Sequence, residues 1–145
     1  MILFCDTSAL IKLYIHESDS PAMRIAADAA SSLAVCRIAW AEAMAAFARR
    51  AREVPADAAL LEEARQRLQA HWPHYAVVEI TQPLVALAGD YADTFALRGY
   101  DSVQLAAAHL VYQASPEGVC FACFDSRLNK AAKVLGMGVL ESLSS

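Results

Sequence analysis

Ile2-Leu3-Phe4-Cys5-Asp6-Thr7-Ser8-Ala9-Leu10-Ile11-Lys12-Leu13-Tyr14 is the stretch on which the fold turns. Four apolar residues run unbroken into Asp6, as in a short strand buried on both faces, and after Thr7 the apolar residues return at helical spacing. This reads as strand, turn and helix, with an acid at the carboxyl end of the strand. The same figure recurs down the chain. Leu33 to Cys36 precedes a helix from Ile38 to Arg52. Tyr75 to Ile80 precedes a helix from Pro83 to Leu97, capped by Thr81, and Val119 to Phe124 precedes one from Ser126 to Leu135. Gly138 to Leu140 offers a fifth strand. Further helices are expected from Pro21 to about Ala30 with Ser20 as N-cap, from about Ala56 to Ala70 after the break at Pro55, and from Asp101 to Tyr112. Gly99 and Gly136 sit where helix ends want a left-handed residue. Strands alternating with helices, without hairpin turns, imply an α/β fold with a parallel sheet covered on both faces.

Composition agrees. The 145 residues are 57% hydrophobic, 31 of them alanine, with only 5 Gly and 5 Pro, which favours one helix-rich domain over 1–145 and excludes disordered or collagen-like classes. The longest uncharged stretch, Ser102 to Pro116, is too short for a bilayer span and carries Gln104, His109 and Gln113. The amino terminus lacks the basic leader and long apolar segment of a signal peptide, so a cytoplasmic protein without membrane association is expected. Cys5, Cys36, Cys120 and Cys123 each lie in an apolar run and read as reduced core thiols. A net charge of −4 argues against nucleic-acid binding through bulk charge; any such binding has to be local.

Sites in parallel sheets form beyond the carboxyl ends of the strands. Asp6 follows the first strand, Glu42 lies on the opening turns of the helix after the second, Asp125 follows the fourth, and Asp101 stands at a helix start. Glu42 is the sharpest, being the single charge in the apolar run Ile38 to Phe47, and a charge in such a helix is expensive unless paired or bound to a metal. Each acid alone has a plain structural role: the aspartates as helix caps, Asp101 with Gln104 as a capping box, Glu42 as an arginine partner. Together they are four acids at one edge of one sheet, with no basic residue adjoining Asp6, Glu42 or Asp101 in sequence, and oxygen-only clusters suit Mg2+ or Mn2+. Other groups say less. Cys120 and Cys123 point to opposite faces of a strand, His71 and His74 flank Pro73, and His109 is a satisfied core histidine. Arg49, Arg50 and Arg52 end the Glu42 helix, where cations suit the macrodipole as well as a phosphate. Neither a phosphate-binding glycine loop nor a nucleophilic serine elbow is present.

These residues resemble the PIN-domain ribonucleases, and among them the VapC-type toxins of bacterial toxin–antitoxin pairs. The resemblance runs from Met1 to about Leu140. It is carried by Asp6 to Tyr14, by Glu42 in its alanine-rich helix, by Tyr100-Asp101-Ser102-Val103-Gln104-Leu105-Ala106-Ala107-Ala108, and by Asp125-Ser126-Arg127-Leu128 ahead of Ala131-Ala132. It implies a three-layer α/β/α domain with a central parallel sheet of four to five strands. It further implies an acidic site at Asp6, Glu42, Asp101 and Asp125 that holds Mg2+ or Mn2+ and hydrolyses RNA. Thr7 and Ser8 would support those acids, and Arg127, Arg49 and Arg50 are candidate RNA contacts. A homodimer and a small cognate antitoxin follow as implied partners. Where the family often has Thr or Ser two residues before the fourth acid, this chain has Cys123. The competing reading is a phosphoryl-transfer or receiver-like domain, which usually needs a paired aspartate near the first strand and a lysine at a later strand end; Thr7 and Ser8 follow Asp6 instead. An idle interaction module of the same fold is disfavoured by the four intact acids.

Overall fold

A computed structural model of the chain describes residues 1–140. In chain order the elements are β1 (Ile2–Cys5), α1 (Thr7–Ile11), α2 (Ser20–Ala29), β2 (Ser32–Cys36), α3 (Ala39–Glu53), α4 (Ala58–His71), β3 (Ala76–Val78), α5 (Gln82–Phe95), α6 (Gly99–Ala114), β4 (Val119–Ala122), α7 (Ser126–Val134) and β5 (Gly138–Leu140). Every strand pairing is parallel, in the spatial order β3-β2-β1-β4-β5. The chain builds outward from β1 to β3 and then returns past β1 to lay down β4, so the order reverses between β1 and β4. Ligands of open parallel sheets lie at such a reversal.

Side-chain alternation sorts the strands onto two cores. Phe4, Ala34, Cys36, Val119, Phe121 and Cys123 face α5, α6 and α7, whereas Leu3, Cys5, Val35 and Ala122 face α1 to α4. Phe4 and Phe121 stack across the β1–β4 pair with ring centroids 6.0 Å apart. Ala106, Ala107 and Ala108 are fully buried, and their small side chains let α6 lie close against the sheet. Cys120 packs in the first-helix core and Cys123 in the opposite one, and all four cysteines are free thiols. No helix among the described residues is long and apolar enough to cross a membrane.

Three local expectations are corrected. The left-handed residue ending α5 is Ala96 (φ 54°), and Gly99 instead opens α6. Asp101 is therefore no N-cap: that position is Arg98, and Asp101 sits inside the first turn. At α2 the cap position is Asp19 (φ 70°), while Ser20 is buried and ties its hydroxyl to the Glu17 amide and the Ile15 carbonyl. In both helices the chain enters one or two residues earlier than propensity indicates, because burial of a neighbouring side chain fixes the entry.

Candidate functional site

Asp6 leaves β1 on the face that Phe4 occupies and caps α1, its Oδ1 accepting from the Ala9 amide at 2.9 Å and from the Ser8 hydroxyl at 2.8 Å. The side chain is buried, with 8% of the residue exposed. Burial pushes its carboxyl above the usual range and the negative charge of Asp101 adds to this; hydrogen bonds from the Ala9 amide, the Cys123 thiol and the Ser8 hydroxyl pull it partly back. That Asp101 acts on Asp6 electrostatically, across α6 and β1, brings together two acids separated by most of the chain.

Glu42 projects from the first turn of α3 and is half-buried. The Thr7 hydroxyl donates to its Oε1 at 2.7 Å, and the Gln104 amide donates to Thr7 Oγ1 at 3.2 Å and to Glu42 Oε1 at 3.5 Å. Asp101 and Gln104 are three residues apart on α6 and share a face, so one helix supplies both an acid and the amide that touches Glu42. Asp125 follows β4, is exposed, and caps α7 by accepting from the Leu128 amide at 2.9 Å. Cys123 lies between the two strand-end acids: its thiol faces Asp6, and its Sγ accepts from the Asp125 amide at 3.3 Å. Both aspartates push that thiol up beyond its already desolvated value. The Asn129 side chain holds the Cys123 carbonyl at 2.9 Å and fixes this corner.

Among the described residues none of the four acids pairs with a lysine or arginine. Nor are any three His, Cys, Asp or Glu side chains there gathered into a group that could hold a metal ion by themselves. The donor chemistry nonetheless suits a hard divalent cation. The acids offer oxygen donors, two of them held in place by hydroxyl and amide donors, and the Oε1 of Gln104 is a buried acceptor that no described residue satisfies. Mg2+ keeps several waters and takes one or two carboxylates directly, so an open arrangement suits it better than a closed one.

Of the candidate RNA contacts, Arg49 and Arg50 line a groove of about 480 Å³ that Ser8 also lines. Arg50 pairs with Glu17 at 3.2 Å, and Arg49 lies 4.0 Å from Glu53. Arg127 is exposed, with its guanidinium 3.4 Å from the Ala96 carbonyl. Sequence reasoning missed Lys12 in the same groove, 3.8 Å from Glu17 and over the Phe124 ring at 5.1 Å, and it took Gln104 for a capping partner. The spacing of Gln104 from Asp101 on an otherwise apolar helix was the available signal. His109 bonds Tyr91 and His71 bonds Tyr14, both away from the acids.

The PIN domain model matches residues 3–134. Ribonuclease VapC45 of Mycobacterium tuberculosis is 31% identical over 138 residues, spanning 95% of this chain and 94% of its own length. Among solved structures, FitAcB from Neisseria gonorrhoeae aligns over the whole of both chains with a TM-score of 0.69 at 17% identity. A toxin–antitoxin complex from Klebsiella pneumoniae aligns over 89% of this chain and 90% of its own with a TM-score of 0.65 at 19% identity. At those identities the two structures speak to the fold, whereas the family match and the mycobacterial relative speak to descent. The chain belongs to the PIN-domain family, on its VapC ribonuclease branch.

Proposed function

We propose that this chain is a divalent-metal-dependent endoribonuclease that hydrolyses phosphodiester bonds of single-stranded or structured RNA at Asp6, Glu42, Asp101 and Asp125. We further propose that it is the cytoplasmic toxin of a type II toxin–antitoxin module. The observation that carries the reading is the Asp6 carboxyl: buried, repelled by Asp101, lacking any cationic partner among the described residues, yet oriented by an amide and a hydroxyl. A carboxylate held in that state opposes folding unless a cation joins it. The ribonuclease activity named for the mycobacterial relative supports the choice of substrate.

Asp6, Glu42 and Asp101, with Asp125 at the rim, would hold Mg2+ or Mn2+. The bound ion supplies neutralisation of the phosphodiester and a lowered pKa for the attacking water. The chain does the rest. Thr7 fixes Glu42 and Ser8 fixes Asp6, so each carboxylate keeps lone pairs free without having to reorganise. Lys12, Arg49 and Arg50 offer cations to backbone phosphates in the groove that Ser8 also lines, and the exposed Arg127 does so next to Asp125 in the chain. Setting the four acids aside leaves 12 basic residues against 12 acidic, so binding rests on these local cations and not on the field of the whole protein.

A small cognate antitoxin and a homodimer complete the reading, supported by the toxin–antitoxin complex among the structural neighbours. An antitoxin arginine placed among the acids would satisfy them by a bidentate pair and so block the cation. The test is cleavage of a labelled RNA with Mg2+ or Mn2+ and analysis of the new ends. Attack by water on phosphorus with the 3′-oxygen leaving gives a 3′-hydroxyl and a 5′-phosphate, and chelation stops the reaction. Cyclic 2′,3′-phosphate ends, or cleavage that survives EDTA, would contradict the assignment.

A further inference from the structure

Glu17 lines the same groove as Ser8, Lys12 and Arg50, and it bridges the two cations. Its Oε1 lies 3.8 Å from Lys12 Nζ and its Oε2 accepts from Arg50 Nη1 at 3.2 Å, so the carboxylate gives one oxygen to each. Both contacts are loose. The Lys12 distance exceeds a hydrogen bond, Arg50 commits a single N–H of its five to the acid, and the side chains of Lys12, Glu17 and Arg50 are 14%, 30% and 41% exposed. Partly exposed pairs of this kind are weak and screened by salt. Lys12 has a second support, since its ammonium lies over the Phe124 ring at 5.1 Å, and Phe124 directly precedes Asp125. Ser8, on the same groove, donates to Asp6. The paired cations thus adjoin neighbours of both strand-end acids.

We infer that Glu17 occupies a phosphate subsite of the substrate groove: in the free chain its carboxylate holds Lys12 and Arg50 where one backbone phosphate of bound RNA takes its place. The inference rests on the ribonuclease reading above and adds to it a residue that limits RNA affinity. A phosphodiester, like a carboxylate, carries one negative charge over two unesterified oxygens on a single centre, so it can answer both cations together. Lys12 stays in position through Phe124 when the acid leaves, and Arg50 has further N–H groups to offer. The Glu17 backbone does not depend on the exchange, because its amide donates to the buried Ser20 hydroxyl and its carbonyl accepts from the Ser20 amide. Pairing the cations steadies the free fold, and RNA has to break that pairing before it gains theirs. Stability and RNA affinity are therefore opposed at this one side chain.

Fluorescence anisotropy of a labelled single-stranded RNA of mixed sequence, titrated with the full chain in EDTA at low ionic strength, tests this without cleavage. Glu17→Gln should tighten the Kd about fivefold while its Tm falls. Glu53→Gln removes the same charge from the same groove, but Glu53 lies 4.0 Å from Arg49 with both side chains mostly exposed, so its Kd should change by less than about twofold. In a chain carrying Lys12→Met and Arg50→Gln, the gain from Glu17→Gln should disappear, because the cations it would free are gone. A Kd unchanged or weakened in Glu17→Gln overturns the inference and leaves Glu17 as a brace of the fold; RNA binding by the parent chain then keeps the ribonuclease reading standing. Equal gains in Glu17→Gln and Glu53→Gln, or a gain that survives loss of both cations, overturn it in favour of a general effect of net charge. RNA bound by neither the parent chain nor Glu17→Gln removes the inference together with the assignment of the groove to RNA.

Discussion

The carboxyl end of the sheet carries acids at two places, and they are treated in opposite ways. At the β2–β3 edge, Glu79 meets the Arg37 guanidinium through two hydrogen-bonding contacts, and these bonds, helped by the opposite charge, hold its carboxyl below the usual range. At the β1–β4 reversal, Asp6 is pushed the other way and the acids around it meet hydroxyls, an amide and a thiol but no cation among the described residues. Glu17 belongs with the first kind, since Lys12 and Arg50 both reach it. An acid that the chain neutralises for itself is there for the fold. One that the chain orients and leaves charged is there for something that binds.

The comparison breaks most visibly through activity. Glu42→Gln, Asp6→Asn and Asp101→Asn should each reduce metal-dependent RNA cleavage on the order of a thousandfold, since a metal clamp contributes several kcal/mol to the transition state. Glu79→Gln, an acid at the same end of the same sheet, should leave the rate unchanged. Equal losses at both places would show that pairing does not separate the two kinds.

Asp125 sharpens the contrast within the site. It is exposed and already serves as the cap of α7, a role asparagine also fills. Asp125→Asn should therefore slow cleavage by about tenfold, far less than Asp101→Asn, with saturating Mn2+ recovering part of the loss. Rates measured against metal concentration for the two variants side by side decide the ranking, and an Asp125→Asn enzyme as inactive as Asp101→Asn at every concentration would reverse it.

Stability gives the smallest effect and the clearest sign. The folded-state pKa of Asp6 is raised above its unfolded value, so ionising it opposes folding. That penalty is complete above the folded pKa, shrinks as pH falls toward the ordinary carboxylate range, and is gone below it. Metal-free Asp6→Asn should melt a few degrees above the parent chain at neutral pH, and the advantage should disappear in acid. Millimolar Mg2+ should reverse the order by stabilising only the parent chain. Glu17→Gln, by contrast, should lower Tm by a few degrees at neutral pH, in keeping with about 1 kcal/mol or less for a partly exposed pair.

Much of this was legible in the sequence. The apolar runs 2–5, 33–36 and 119–124 are each followed by a stretch with helical spacing, and that repetition carries the parallel sheet, with Asp6 and Asp125 standing directly after the first and last of them. Glu42 was visible as one charge in an apolar helix. What failed was local: Gly99 looked like a helix stop and Asp101 like a cap, because glycine and aspartate favour those roles by propensity, whereas burial of Ser102 and Gln104 against the core starts α6 earlier. The strand order was not legible either, since nothing in the one-dimensional pattern says that β4 returns to the far side of β1. Gln104, Lys12 and the contact of Cys123 with Asp6 depend on that order, and only three dimensions reveal them.

The central claim is that the unpaired acids at the β1–β4 reversal hold the catalytic cation. Anomalous diffraction from crystals grown with Mn2+ tests it most directly. The account predicts a peak within coordination distance of Asp6 and its neighbours Glu42 or Asp101, absent from crystals of Asp101→Asn. A protein that cleaves RNA in Mn2+ while its only peak lies elsewhere, or persists unchanged in Asp101→Asn, would contradict it.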